Sequence, residues 1–386
     1  MKIAPQNDNI FTMNFSVLFV VVFLLFFTLD FYIPVLPFYV LHVGGGATSV
    51  GMLMGLFTLC SILLRPFQGR DLNRRGRKRL LITGVSLYAL AGLGLLLLPS
   101  LPYLFLFRAV QGFGWGAFLL AFNTLTLDLA PPGKSGAVVG LMGIAPPFSL
   151  AVAPILGEHF RIASGSNYLL LFSIVAVVAL ISLLLSTLLR EPQREHVEGH
   201  VPALLSRKVF FPSLIIFFMT FNLGSILTFL PLLGEARDIH AVGTFFTVFA
   251  LTTVFSRPLA GRLSDYLGRP KVFLPGLLIA AAAMIMIALA VNAQQLLLSA
   301  FIFGIGFGSA HSSVIAMAAD RLPVVERGVG MATFTSAFDL GIVAGSVALG
   351  ILLNWFDFTA LFILCALLML VPVAVYFLRY KKLSAA

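Results

Sequence analysis

Two carboxylic acids lie inside long apolar stretches of the chain, where a charge is expensive. Asp30 stands in the middle of residues 15–41 and Asp339 in the middle of residues 327–353. In a helix that crosses hydrocarbon, each costs about 2.5–3.5 kcal/mol, so each should face water or a partner. A carboxyl group that moves between a dry and a wet setting, or toward and away from a cation such as Arg108, can bind and release a proton. The alternative is a purely structural buried Asp.

The composition shows what kind of element must position these residues. The chain has 386 residues, 60% apolar and 10% charged, against about 45–50% and about 25% in soluble domains. This balance excludes an ordinary water-soluble fold. The apolar blocks have the length, about 20 residues, that crosses a hydrocarbon core as a helix, and they lack the alternation of a β-barrel strand. We predict an all-α membrane protein with twelve spans, at 15–41, 48–68, 80–98, 102–129, 136–157, 167–189, 209–233, 241–261, 272–291, 294–320, 327–353 and 359–379.

The basic residues predict the orientation of these spans. Of the 25 Lys and Arg residues, 22 fall on the side of the two termini, and loops on the cytoplasmic side carry such an excess. Both termini are therefore expected to be cytoplasmic in a multi-pass protein of the plasma (inner) membrane. The net charge of +10 is then an orientation signal and does not indicate nucleic-acid binding. Cys60 and Cys365 each stand alone, so neither a disulfide framework nor a metal site is indicated.

The second half of the chain repeats the first at a constant offset, which aligns Arg65 with Arg257. The polar stretch 190–208 separates the first six spans from the last six, which predicts two six-helix bundles at 1–189 and 209–386 joined by a linker. Matches confined to Gly, Pro, Arg and Asp support this duplication, since apolar composition alone would align Leu and Val. The first-half residues that match are Arg65, Pro66, Gly69, Arg70, Gly76, Arg77, Gly112, Gly114, Gly116, Asp128, Pro131 and Gly136.

Two equivalent loops carry the pattern Gly-x-x-x-Asp-x-x-Gly-Arg, and through them the chain resembles the major facilitator superfamily. The second loop matches with Gly261, Asp265, Gly268 and Arg269. The first has Gly69, Gly76 and Arg77, but Asn73 stands at the Asp position and Asp71 lies two residues earlier. The resemblance implies that the signature Asp pairs with charges and a helix end, latching a cytoplasmic gate. A positive-inside loop without further role is the alternative.

Two further signatures refine the resemblance toward the 12-helix drug:proton antiporter group. Arg108, Gln111 and Gly112 resemble the Arg-x-x-Gln-Gly-x-Gly signature of proton-coupled members, and Trp115 shares the helix face of Arg108. Ala153, Pro154 and Gly157 resemble part of the helix 5 signature of exporters, although Ser149 and Glu158 replace glycines there. A structural Arg and a simple kink-and-packing role are the respective alternatives.

The resemblance implies two bundles around a cavity that opens alternately to each side, and it suggests proton-driven export of a small organic compound. Proton coupling is assigned to Asp30, Asp339 and Arg108. The expected cavity residues are Gln111, Trp115, Asn222, His311, Thr335 and Ser336. No cofactor, enzymatic activity or nucleic-acid partner is expected, and a monomer in a lipid bilayer is predicted. The rivals are a proton symporter or facilitator importing a sugar, peptide or organic acid, and a non-transporting receptor with the same fold.

Overall fold

The computed structural model describes residues 10–64, 68, 76–97, 100–131, 134–190, 206–323 and 326–383. Its helices are α1 (Met13–Phe31), α2 (Leu36–His42), α3 (Ala47–Leu63), α4 (Arg77–Gly94), α5 (Leu101–Asp128), α6 (Ser135–Met142), α7 (Ala145–Ala163), α8 (Tyr168–Leu188), α9 (Phe210–Ala236), α10 (Val242–Leu267), α11 (Pro270–Leu289), α12 (Ala293–Asp320), α13 (Arg327–Leu352), α14 (Phe358–Met369) and α15 (Val371–Leu383). The described part of the chain is helical, as predicted.

Helix length and hydropathy support most of the predicted spans. Within the described residues, ten helical segments are long and apolar enough to cross a membrane. The other two predicted spans coincide with α3, which has 17 residues, and with α4, whose first three residues are basic. The all-α membrane fold is confirmed, whereas the count of twelve spans stays a prediction.

Polar caps and prolines set the helix ends inside the apolar sequence. The side chains of Thr12, Asn167 and Asn292 accept hydrogen bonds from backbone N–H groups in the first turns of α1, α8 and α12, which satisfies donors that a helix start leaves open. The first predicted span is broken between α1 and α2, where Pro34 cannot continue a helical ladder. Here the Ile33 N–H donates to the Asp30 carbonyl oxygen over 3.1 Å, a tighter turn than an α-helix makes.

The helices form two compact units. The first comprises Met1–Val35 with Leu59–Gly199, and the second Leu36–Thr58 with His200–Ala386. In the first unit, α1 packs against α7 and α8, and α4 packs against α5 and α8. In the second, α9 packs against α13, α12 packs against α10 and α11, and α11 also packs against α14. The second unit takes in residues 36–58, which the predicted bundle boundaries assign to the first half.

Candidate functional site

Asp30 lies near the C-terminal end of α1 and is buried, with 7% of its surface exposed. The hydroxyl of Ser149 in α7 donates a hydrogen bond to its carboxylate Oδ2 over 2.5 Å. A hydrogen bond to a buried carboxylate is among the stronger ones a protein makes, because the acceptor carries charge. The predicted intramembrane carboxylate is therefore held by a polar partner on a neighbouring helix.

Small residues on one face of α7 explain why Ser149 reaches α1. Ser149, Ala153 and Gly157 follow each other at four-residue spacing and are all buried. A Cβ atom at Gly157 would lie 2.7 Å from the Phe31 carbonyl oxygen, so only glycine permits the observed approach of the two helices. Pro154 lies inside α7 without ending it. The helix 5 signature thus forms the surface that faces the carboxylate-bearing helix.

Arg108 in α5 is the largest fully buried side chain of the described residues, with 1% of its surface exposed. Its Nη1 donates to the Gln111 Oε1 over 3.1 Å, and its guanidinium carbon lies 5.5 Å from the ring centroid of Tyr32. An aromatic face and an amide oxygen both favour a cation in a dry setting. The structure brings together Arg108 and Gln111, as their helical spacing predicts.

Trp115, two turns further along α5, lies in an aromatic group. Its ring centroid is 4.8 Å from that of Phe26, 5.9 Å from that of Tyr88 and 5.2 Å from that of Phe118. Phe26 belongs to α1 and is partly exposed, whereas 6% of Trp115 is exposed. Aromatic rings therefore join α1, α4 and α5 within the first unit, on the helices that carry Asp30 and Arg108.

In the second unit, His311 in α12 lies between two phenylalanines. Its ring stacks on Phe307 with centroids 5.6 Å apart and meets Phe338 of α13 edge-on at 5.9 Å. Asp339 follows Phe338 and is partly exposed. The structure thus places His311 and the Asp339 segment next to each other through a shared aromatic contact.

The hydroxyl side chains before and after Asp339 on α13 differ in exposure. Thr335 is exposed, whereas Ser336 is partly exposed. Ser346, two turns further along α13 than Asp339, is buried and makes a hydrogen bond of 2.8 Å with the hydroxyl of Thr228 in α9. Ser346 is a helix-packing residue, because both hydroxyls are used between α9 and α13.

Asn222 lies in α9 and is fully buried. Its Nδ2 donates to the Phe218 carbonyl oxygen over 2.9 Å, within the same helix. Its Oδ1 has no hydrogen-bond partner among the described residues. An amide oxygen left open in this way can accept from a bound water or substrate.

The two signature loops lead into matching ion pairs, one in each unit. Gly76 precedes α4 with φ of 91°, and Arg77 forms an ion pair with Asp128 at the end of α5. Of the other first-loop residues singled out by sequence, Gly69, Asp71 and Asn73 lie outside the described residues.

The same arrangement recurs at the equivalent positions of the second unit. Gly268 follows α10 with φ of 93°, and the Arg269 Nε lies 2.9 Å from the Asp320 Oδ2 at the end of α12. Asp265 also pairs with Arg269. The hydrogen bond to Asp320, followed by that to Asp265, raises the pKa of Arg269 above its ordinary value. Gly261 lies within α10, two turns before this loop.

Sequence reasoning missed two partners of the residues that are predicted to couple protons. Tyr32 lies two residues after Asp30 in an apolar stretch, and nothing in its spacing indicates that it contacts Arg108. Ser149 carried a weak signal, because it replaces a glycine of the helix 5 signature with a side chain that can donate a hydrogen bond. Partners of this kind depend on how helices cross, which a sequence periodicity does not specify.

Comparisons with known proteins agree with this architecture. The family model described as Major Facilitator Superfamily matches residues 18–240 and 213–385. A Lactococcus lactis protein named multi-drug resistance efflux pump PmrA homolog is 24% identical over 374 residues, covering 90% of each chain. The Staphylococcus aureus quinolone resistance protein NorA is 22% identical over 316 residues, covering 78% of this chain and 79% of its own.

A solved structure shows the same fold. The crystal structure of a bacterial homolog to the human lysosomal transporter Spinster, in an inward-facing and occupied conformation, superposes with a TM-score of 0.79 at 16% identity. The match covers 95% of this chain and 96% of that one. The first of these relatives is named as an efflux pump, and the solved structure as a homolog of a transporter. The chain belongs to the major facilitator superfamily and is a membrane transporter, related to one protein named as a multidrug efflux pump and another named as a quinolone resistance protein.

Proposed function

We propose that the protein exports a small organic compound in exchange for protons by alternating access. The observation that carries this proposal is the buried Asp30 carboxylate, held by the Ser149 hydroxyl over 2.5 Å inside an apolar helix. A carboxylate within a membrane span is costly, and such groups mark proton and substrate pathways. The names of the efflux relatives support the direction of export.

In the proposed cycle, Asp30 or Asp339 takes up a proton from the outside as the substrate leaves. The proton is released to the cytoplasm when the site opens inward, and substrate and proton compete. Arg108 supplies the fixed positive charge that favours the ionised form of a nearby carboxyl group. Moving one charge across a membrane potential of about 100 mV yields about 2.3 kcal/mol. One proton per substrate therefore sustains roughly a 40-fold substrate gradient from this potential alone.

Residues of each unit are proposed to contact the substrate during this cycle. Gln111 and Trp115 supply an amide and a ring in the first unit. The second unit supplies Asn222, His311, Thr335 and Ser336. The signature loops at Gly76 and Gly268 are proposed to act at the cytoplasmic gate.

The proposal includes the setting in which the transporter works. The protein acts as a monomer in the plasma (inner) membrane, with both termini in the cytoplasm. Its proposed partners are a small-molecule substrate, protons and the lipid bilayer.

Reconstitution into liposomes tests the proposal. Purified protein is inserted into vesicles containing the pH dye pyranine, and a panel of labelled drugs is offered under an imposed pH gradient. Export in exchange for protons predicts that substrate and protons cross in opposite directions, and that collapsing the gradient with an uncoupler stops uphill movement. Movement of both in the same direction would support a symporter, and binding without counterflow would support a receptor.

A further inference from the structure

We propose that the second unit binds the anionic group of an aromatic organic acid through Arg257, Thr253 and His311. This proposal rests on the proposed transport function and assigns the substrate class to it. The three residues come from α10 and α12, which pack closely against each other. None of them belongs to the ion pairs at the signature loops.

Arg257 is a cation inside an apolar helix, and no described carboxylate forms an ion pair with it. Its side chain is partly exposed, while its Nε is buried and has no hydrogen-bond partner among the described residues. Arg77 and Arg269, by contrast, are each paired with an Asp at a helix end. A charge so placed favours an anionic ligand, because a counter-charge offsets the cost of holding it within a span.

Thr253 adds a second open hydrogen-bonding group one turn before Arg257. Residues four apart on a helix share a face. Thr253 is 5% exposed, and its Oγ1 has no hydrogen-bond partner among the described residues. A buried polar group without a partner is costly, and an oxygen of a bound carboxylate would accept from both side chains.

The crossing of α10 and α12 places His311 beside these two residues. Ser256, next to Arg257 in the chain, donates to the Gly304 carbonyl oxygen of α12 over 3.1 Å. A Cβ atom at Gly308 of α12 would lie 3.4 Å from the Thr253 Cα, and His311 follows Gly308 one turn further along the same face of α12. An imidazole at this position can donate a hydrogen bond to the same anion.

The aromatic neighbours of His311 indicate what the rest of the ligand is. Phe307 stacks on the imidazole with an interplanar angle of 15°, and Phe338 meets it at 74°. Rings in offset or edge-on arrangement attract a further ring. The combination of a guanidinium, a hydroxyl and bordering rings fits an aromatic carboxylate better than an aliphatic or cationic compound.

Equilibrium binding to the purified full chain in detergent tests the site. Three probes share one ring system and differ in charge: 1-naphthoate, 1-naphthalenemethanol and 1-naphthylmethylammonium. The wild type should bind the carboxylate at least about tenfold more tightly than the alcohol, and more tightly than the ammonium, by isothermal titration calorimetry. Arg257→Gln should abolish this preference. Arg262→Gln, which removes an exposed charge from the same helix, should preserve it.

Further variants separate binding from folding. His311→Phe keeps a ring but loses the hydrogen bond, so it should weaken naphthoate several-fold and more than it weakens the alcohol, because the charged acceptor makes the stronger hydrogen bond. Equal binding of carboxylate and alcohol by the wild type, or no binding of the carboxylate, would overturn the proposal. So would a folded Arg257→Gln protein that retains the preference. If that variant does not fold, the wild-type comparison decides alone.

The two proposals fail separately. Detergent binding involves no proton gradient, so a protein that exchanges protons for drugs without preferring the carboxylate refutes only the anion site. A protein that prefers the carboxylate but moves no protons refutes only the antiport.

Discussion

The Ser149 hydroxyl donates to the Asp30 carboxylate across the contact between α7 and α1. The face of α7 that carries Ser149 is otherwise built from small residues, Ala153 and Gly157. The exporter-like signature of α7 therefore does more than let two helices approach. It brings a hydrogen-bond donor to the carboxylate that we propose to carry the proton.

Asp30→Asn should abolish uphill transport while exchange of substrate down its gradient continues. An amide cannot gain or lose the proton that drives accumulation, whereas exchange needs no net proton step. Proteoliposomes with and without a pH gradient measure the two modes in one preparation. Asp357→Asn, which changes an exposed carboxylate at the start of α14, is the matched control. Unchanged uphill transport in Asp30→Asn would remove Asp30 from the coupling mechanism.

Ser149→Ala should reduce uphill transport and lower the free energy of unfolding by about 1–3 kcal/mol, since it leaves a buried carboxylate without its donor. Ser182→Ala is a close comparison, because the Ser182 hydroxyl also reaches α1 but donates to the Val21 carbonyl oxygen over 3.3 Å. The comparison variant should lose stability without losing coupling. Initial rates under a pH gradient, together with thermal unfolding in detergent, distinguish the two. Equal transport by both variants would show that the Ser149 contact is structural only.

The spans were predictable because hydrocarbon thickness requires apolar blocks of about 20 residues. Their interruptions were not, since the first span breaks at Pro34, whereas Pro154 lies inside a helix without ending it. Burial of Asp30 and Arg108 was predictable from position alone. Their partners Ser149 and Tyr32 lie outside the helices that carry them, so only the helix crossings reveal them.

The internal repeat aligns residues that form the same ion pair in both units, although the alignment alone did not predict the pairing. It aligned Arg77 with Arg269 and Asp128 with Asp320, yet it gave no reason to pair an arginine with an Asp at the far end of the next long helix. The structure forms the pair in both units. The alignment therefore matched the right residues in the two halves. That these residues form an ion pair between a loop and a helix end could be seen only in the folded structure.

Burial predicts that the two ion pairs differ in strength. The side chain of Asp128 is 5% exposed, whereas that of Asp320 is 55% exposed. Asp128→Asn should cost about 1–3 kcal/mol of unfolding free energy, because it removes the charge of a buried ion-pair partner. Asp320→Asn should lower the unfolding free energy by less than about 1 kcal/mol, and this loss should be smaller still in high salt, because salt screens exposed charges. Thermal unfolding in detergent at two salt concentrations measures both, and a reversed order would contradict the argument.

Substitution of either of two loop glycines should destabilise the protein because of the backbone conformation there. Gly76 and Gly268 have φ angles of 91° and 93°, in a region that residues with a Cβ rarely adopt. Alanine at either position should lower unfolding free energy by about 1–3 kcal/mol. Gly261→Ala serves as the control, since Gly261 is helical and a Cβ there meets no atom within 4 Å. Equal stability of all three variants in a thermal-unfolding assay would contradict the requirement for glycine.

Substitutions of Arg108 test whether its positive charge or its planar guanidinium geometry matters for coupling. Its contacts with Gln111 and Tyr32 use a planar guanidinium, which lysine cannot reproduce although it keeps the charge. Arg108→Ala and Arg108→Lys should therefore both lower thermal stability. Only Arg108→Ala should uncouple transport, measured as protons moved per substrate in proteoliposomes, because the fixed charge that favours an ionised carboxyl is gone. If Arg108→Ala folds and keeps the wild-type ratio, the residue serves packing alone, and proton release must be driven by changes in solvation around Asp30.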